Sequence, residues 1–251
     1  MAEIDILRAF SRASSTYESH ARVQRLCAQD MLGMLDISSP GSVLEVGCGT
    51  GLLTRMLIGK FPDAGILACD PSQRMLMEAR RMAPARVEFI CCSLEELPRN
   101  FWELIVSNAA LHWAGPLQTT LAMLKDSLCP DGLLAFSYFT RNTYPELAEA
   151  LSQAAGTEVQ LACSGFASAD ETANEVAKVF KKVQIERKVY IHNFTDIRAL
   201  LRHIKLTGTR GTGARPKLVW TKGLLDRTQR EYLARFGSIR VGYEVVICTA
   251  K

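Results

Sequence analysis

The sequence predicts an α/β fold: a mostly parallel open sheet with helices on both faces. Three observations carry this. Short apolar runs of strand length alternate with helical patterns between residues 42 and 139, as in repeated βαβ units. Residues 44–51, Leu-Glu-Val-Gly-Cys-Gly-Thr-Gly, put three glycines at alternate positions between an apolar run and a helix start. Glycine there allows positive φ and lets the backbone approach a ligand. Finally, polar residues gather where the apolar runs end, at Glu45, Asp70, Ser93 and Asn108, and open α/β sheets bind ligands at those ends.

The elements follow in order. The first 40 residues read as helical, because Val23, Leu26, Cys27, Met31, Met34 and Leu35 recur at helical spacing. Ser38-Ser39-Pro40-Gly41 ends that region. Residues 42–47 form a strand and 52–60 a helix. Residues 65–70 form a second strand, 72–82 a helix with Ser72 at its start, and 86–92 a third strand. Leu104, Ile105 and Val106 are the buried run of a fourth strand, 103–108. A helix over 117–128 is stopped by Cys129-Pro130-Asp131-Gly132, and 133–139 is the fifth strand. The pattern then changes. Helices at 145–155 and 168–180 precede a long strand, 183–194, two more helices, 196–206 and 221–236, and a closing strand, 240–249. Residues 207–217 are glycine-rich and basic and read as a mobile loop.

Composition narrows the class. A chain of 251 residues with 48% apolar and 22% charged residues is ordinary for a globular protein with a sizeable core. No apolar stretch reaches about 18 residues, so no membrane span is expected. The start, Met1-Ala2-Glu3-Ile4-Asp5, lacks the features of a secretory signal. The eight cysteines form no C-x-x-C pair and read as small buried hydrophobes. Free thiols point to the cytoplasm and to no metal site. The charge of +4 is mild and sits late, in Lys178, Lys181, Lys182, Arg187, Lys188, Arg198, Arg202, Lys205, Arg210, Arg215, Lys217 and Lys222. That cluster is either a solvated face or a surface for an acidic partner.

The glycine stretch departs from the dinucleotide fingerprint, since Gly51 comes one residue too soon. Glu45 just before it suits a ligand with a cationic head. The stretch resembles motif I of class I S-adenosylmethionine-dependent methyltransferases. The resemblance implies a Rossmann-like fold with a central seven-stranded sheet and S-adenosyl-L-methionine as cofactor. The chain then reads as one domain: an N-terminal helical lid (1–40), a cofactor-binding half (41–139), a helical insertion (140–182), and C-terminal strands and helices (183–251). Glu45, Gly47, Cys48, Gly49 and Gly51 would hold the amino-acid end and the ribose side. Asp70, followed by Pro71, would bind the ribose hydroxyls in preference to serving only as a cap. Ser93 stands where this class often has an acid for the adenine amino group, so its hydroxyl or the Leu94 N–H takes that place. Asn108 and Ala109 sit where the backbone meets the methionine part. Trp113 is either a wall of the methyl-transfer pocket or a core tryptophan.

Further stretches resemble the malonyl-acyl-carrier-protein O-methyltransferases of biotin synthesis. These are Phe10-Ser11-Arg12 through Tyr17 to Ala21, Ser107-Asn108 through His112-Trp113, Tyr144-Pro145-Glu146-Leu147, Ile204 to Gly208 and Tyr243-Glu244-Val245-Val246. Ser93, His112 and Gly242 depart from the pattern. The resemblance implies methylation of the free carboxyl of a malonyl thioester on acyl carrier protein or coenzyme A. A carboxylate needs no general base, and no Ser-His-Asp or paired-carboxylate arrangement is evident. Lys205 and Arg141 are candidates to hold the carboxylate. Tyr17 and His20 are candidates to close over the cofactor. Acyl carrier proteins are acidic, so the late basic cluster would steer one in. Asn108-Ala109-Ala110-Leu111 is not an N-P-P-Y type motif, which argues against nucleic acid. No membrane partner is expected, and the chain is expected to be a monomer. The alternatives are a methyltransferase for a quinone, phenol or sterol, which needs a closed apolar pocket, and a non-catalytic cofactor-binding module, which needs no acceptor site.

Overall fold

The computed structural model describes residues 2–97, 100–209 and 213–251. Two helices open the chain, α1 (Ala2–His20) and α2 (Arg22–Gly33). The β/α half follows as β1 (Ser42–Val46), α3 (Leu52–Lys60), β2 (Gly65–Cys69), α4 (Gln73–Met82), β3 (Glu88–Ile90), β4 (Trp102–Asn108), α5 (Leu117–Asp126) and β5 (Leu128–Phe139). The remainder is α6 (Pro145–Ala155), α7 (Ala169–Val179), β6 (Val183–Phe194), α8 (Ile197–Leu206), α9 (Lys222–Phe236) and β7 (Ile239–Ala250).

The strands form one seven-stranded sheet in the order β3-β2-β1-β4-β5-β7-β6. The first five strands pair in parallel, while β7 runs antiparallel to both β5 and β6. The central strands are largely apolar because helices cover both faces: Leu44, Leu104, Ile105 and Val106 are at most 1% exposed. The order reverses between β1 and β4, which opens a crevice at the carboxyl ends of those strands.

Two boundaries differ from the sequence reading. The N-terminal helical region is two helices that break at Ala21, and it ends at Gly33, short of residue 40. Strand β5 begins at Leu128, ahead of Cys-Pro-Asp-Gly, which does not start the strand but bulges it. Trp102 pairs with Leu128, yet Leu104 pairs with Leu133. Gly132 makes that shift possible, since a Cβ there would lie 2.8 Å from the Trp102 carbonyl oxygen. Part of the glycine-rich segment, residues 210–212, lies outside the described residues.

All eight cysteines are free thiols, and six of them are buried. None of the described helices is long and apolar enough to cross a membrane.

Candidate active site

The turn after β1 is built on β2. The Gly47 and Cys48 N–H groups both donate to the Cys69 carbonyl at 2.9 Å, and Gly47, Gly49 and Gly51 all have positive φ. The Asp70 carboxylate then braces the turn. One oxygen accepts from the Gly49 N–H at 2.9 Å, the other from the Ser72 N–H at 2.8 Å. Burial pushes the Asp70 carboxyl up to about 6, against the pull of those two hydrogen bonds. The Glu45 carboxyl is 1% exposed and takes the Thr54 hydroxyl; burial pushes it up to about 8.

These groups line a cavity of about 500 Å³. Gly47, Cys48, Gly49, Pro71, Ser93, Leu94, Asn108, Ala109, Tyr17 and Trp113 line it too, so the structure gathers most of the residues read from the sequence. Gly51 does not line it. It caps α3 and packs on Ala79, 3.2 Å from where its own Cβ would be, so its requirement is structural. Ser93 does not offer its N–H freely, because that group donates to Glu96 at 2.9 Å. The sequence reading missed Phe10, Gln24, Met75 and Glu95 in the lining. Of these, Glu95 carried a signal, an acid only two positions past Ser93.

The cavity fits S-adenosylmethionine. A Cβ on Gly49 would meet nothing within 4 Å, so the turn faces open space. A buried carboxyl at Glu45 held by one hydroxyl suits an ammonium group. Each Asp70 oxygen has one protein donor and keeps a lone pair for one ribose hydroxyl. Helix α1 supplies the apolar cover through Ile6, Leu7, Phe10 and Tyr17. The Phe10 ring meets Trp113 edge to face with centroids 5.8 Å apart.

A second cavity, about 870 Å³, adjoins the first, and Trp113 lines both. Its buried lining comes largely from Phe139, Tyr144, Leu147, Leu151, Cys163 and Phe166. Its exposed lining includes Lys205, Arg215, Lys217 and Trp220. The helical insertion therefore helps to wall this second cavity and contributes none of the described lining of the first. Among the described residues only Ala109 (φ 53) and Tyr144 (φ 64) combine a side chain with left-handed backbone, and each sits on one of the two cavities. Strained backbone of this kind concentrates at functional sites.

Other sequence candidates fall elsewhere. Arg141 lines neither cavity; its guanidinium pairs with Glu171 and donates to the Phe166 carbonyl. His20 also lines neither, since its Nδ1 donates to the Thr16 carbonyl at 2.9 Å and its ring turns toward His203. His112 is packed among Trp113, Tyr138, Phe139 and Phe166, and burial drives its pKa down to about 3, so it stays neutral. The basic cluster is partly spent on neighbours: Lys178 on Glu175, Arg187 on Asp170, Lys188 on Asp30 and Arg198 on Asp226. Arg210 lies outside the described residues.

A family profile described as a methyltransferase domain matches residues 43–132. The malonyl-[acyl-carrier protein] O-methyltransferase of Acetivibrio thermocellus is 42% identical over 55% of this chain and 50% of its own length. That of Priestia megaterium is 37% identical over 59% and 56%. The chain thus spans about half the length of these two relatives. The enzyme of the same name from Chlorobium luteolum is 30% identical over 95% of this chain and 91% of its own. Among solved structures, the YcgJ protein from Bacillus subtilis superposes with a TM-score of 0.62 at 13% identity, covering 89% of this chain and 97% of that one. A Thiobacillus denitrificans S-adenosylmethionine-dependent methyltransferase, in complex with S-adenosylhomocysteine, gives 0.54 at 17% identity over 90% and 91%. At such identities the structures speak for the fold, which is that of class I methyltransferases. The near full-length likeness to the Chlorobium luteolum enzyme, together with the site just described, places the chain by descent: it belongs to the malonyl-[acyl-carrier protein] O-methyltransferase family.

Proposed function

We propose that the protein methylates the free carboxyl of a malonyl thioester carried by acyl carrier protein, an early step of biotin synthesis. The observation that carries this reading is the pair of cavities meeting at Trp113. One is lined by the carboxylates Asp70 and Glu95; the other has three cations and no carboxylate side chain among its described lining residues. An anionic acceptor suits the second and is repelled by the first.

When bound, S-adenosylmethionine supplies a methyl carbon that an acceptor oxygen displaces from a sulfonium, leaving a neutral thioether. Glu45 binds the ammonium end, Asp70 the ribose hydroxyls and Glu95 the adenine amino group, in place of the acid missing at position 93. The backbone at Asn108 and Ala109 faces the methionine part. The Asn108 side chain is spent on structure, accepting from the Ser137 hydroxyl at 2.7 Å and donating to the Gln24 carbonyl at 3.0 Å.

A malonyl carboxylate is already ionised at neutral pH, so no proton has to be removed. The second cavity agrees with this. Burial pushes the Tyr144 hydroxyl in its lining up to about 12, so it remains a donor, and His112 behind the lining stays neutral. Catalysis then rests on orientation and desolvation: Trp113, Phe139 and Phe166 keep water from the acceptor oxygen. A cavity reaching exposed cations favours a carrier-borne substrate over a closed pocket for a quinone, phenol or sterol. The carrier is cytoplasmic and the protein is expected there.

The deciding experiment is a methyl-transfer assay with malonyl-carrier protein, malonyl-coenzyme A and a phenolic control. Turnover of the phenol with none of either thioester would overturn the proposal.

A further inference from the structure

We propose that Lys205, Arg215 and Lys217 hold a phosphate on the arm of the acceptor thioester, and that the reacting carboxylate is left without a cation in the buried, apolar part of the cavity. The proposal rests on the acceptor reading of this cavity and goes beyond it by assigning the cations to the other end of the substrate.

The lining of the cavity divides into a buried apolar part and an exposed basic part. The buried part is Phe139, Tyr144, Leu147, Leu151 and Phe166, all at most 8% exposed and none charged, with Phe166 edge-on to Trp113. In the other part Lys205, Arg215 and Lys217 are exposed, and none of them takes part in an ion pair among the described residues. They come from two separate segments, α8 and residues 213–220, yet line one cavity. Three exposed cations on one cavity, with no acid among its described lining residues, is not the interspersed pattern of a solvated face.

A malonyl group on a phosphopantetheine-type arm has two anionic groups, a carboxylate at its tip and a phosphate at its far end. The two parts of the lining fit the two groups differently. A cation buried beside the carboxylate would draw charge from the attacking oxygen and carry a large desolvation penalty. A phosphate at the exposed part keeps its hydration while Arg215 offers a forked set of donors and the lysines add point charge. Lys205 therefore changes role from the one read in the sequence: it grips the arm, not the nucleophile. The shared chemistry is the phosphate-bearing arm, which coenzyme A and acyl carrier protein both present.

The test has a binding arm and a kinetic arm, both on the full chain. Calorimetry compares 4′-phosphopantetheine with pantetheine on the wild type and on R215A/K217A and K205A variants. The phosphate should tighten binding at least tenfold on the wild type, and R215A/K217A should erase that gain. No gain from the phosphate on the wild type, or equal weakening of both probes in the variant, overturns the proposal. In the kinetic arm R215A/K217A should raise KM at least tenfold for malonyl-coenzyme A and malonyl-carrier protein, keep kcat, and leave KM for malonyl-pantetheine unchanged. A matching rise for malonyl-pantetheine would put the cations on the carboxylate and overturn it. A rise for the carrier protein alone would make them a protein-docking surface and also overturn it. If the wild type methylates no malonyl thioester, the proposed function fails, and the binding arm still decides the phosphate site. The three side chains are exposed, so melting curves should match the wild type.

Discussion

The Thr50 hydroxyl donates to the Glu18 carboxylate at 2.7 Å, which ties α1 to the glycine turn. The other Glu18 oxygen takes Arg55 of α3 and Arg25 of α2. Ser11 adds a second tie, 2.8 Å from the Ser72 hydroxyl at the start of α4. Glu18→Ala should therefore loosen the apolar cover of the cofactor cavity more than it unfolds the chain. The expected result is a loss of about tenfold in S-adenosylhomocysteine affinity, or about 1.4 kcal/mol, with little change in Tm. Unchanged affinity by calorimetry would mean that α1 stays closed without this tie.

Asp70 braces the glycine turn and is proposed to hold the ribose, so its variants should separate the two tasks. Asp70→Ala removes the bonds to Gly49 and Ser72 and the ribose contact together, and should cost about 1.5–3 kcal/mol in cofactor binding, the range for a charged hydrogen bond. Asp70→Asn keeps an acceptor for one of the two N–H groups, and should melt closer to the wild type while still binding more weakly. A loss of less than twofold in either variant would leave Asp70 as a brace only.

Glu95→Ala tests the replacement for the missing acid at position 93. It should weaken S-adenosylhomocysteine by about 1 kcal/mol and leave the analogue with inosine in place of adenosine unchanged, since that base lacks the amino group. Glu96→Ala should affect both ligands alike, because Glu96 is spent on the Ser93 N–H. Equal losses for both ligands in Glu95→Ala would remove Glu95 from base recognition.

Glu45 makes two pH-dependent predictions. Its folded carboxyl lies at about 8 against an ordinary 4.5, so the folded state binds a proton that the unfolded state has released. The stability it contributes is full below about pH 4.5 and is lost as the pH rises toward 8. Glu45→Gln should flatten that fall in a series of melts. A bound ammonium group favours the ionised carboxyl, so cofactor binding near pH 7 should release a proton. Calorimetry in buffers of different ionisation enthalpy would detect the release, and buffer-independent heats would contradict it.

The legible parts of the molecule were those that depend on local sequence. The runs at 43–46 and 104–106 and the glycines between strand and helix are dictated by burial and backbone freedom, and the structure follows them closely. The start of β5 was not legible, because Pro130 and Gly132 read as a stop, whereas pairing with Trp102 carries the strand through them. Arg141 looked available only because its partner, Glu171, stands 30 residues away. The second cavity was the least legible, as its lining comes from six separate stretches between Trp113 and Leu225 with no motif among them. What did signal it was charge: Lys205, Arg215 and Lys217 belonged to a basic excess that only the fold could divide into paired and unpaired members.

The two cavities touch at Trp113 but reach solvent at different rims, one at Pro71 and Glu95, the other at Lys205, Arg215 and Lys217. If the second cavity takes the thioester as proposed, traffic through the enzyme is thereby uncoupled. Neither substrate blocks the other's entrance, and neither product must wait for the other to depart. Initial rates should follow a random-order sequential scheme, with S-adenosylhomocysteine competing only against the methyl donor and the methyl ester only against the thioester that gave rise to it. A cell could then regulate the reaction from either side, through the ratio of donor to spent donor or through the loading of its carrier, with each signal read at a separate door.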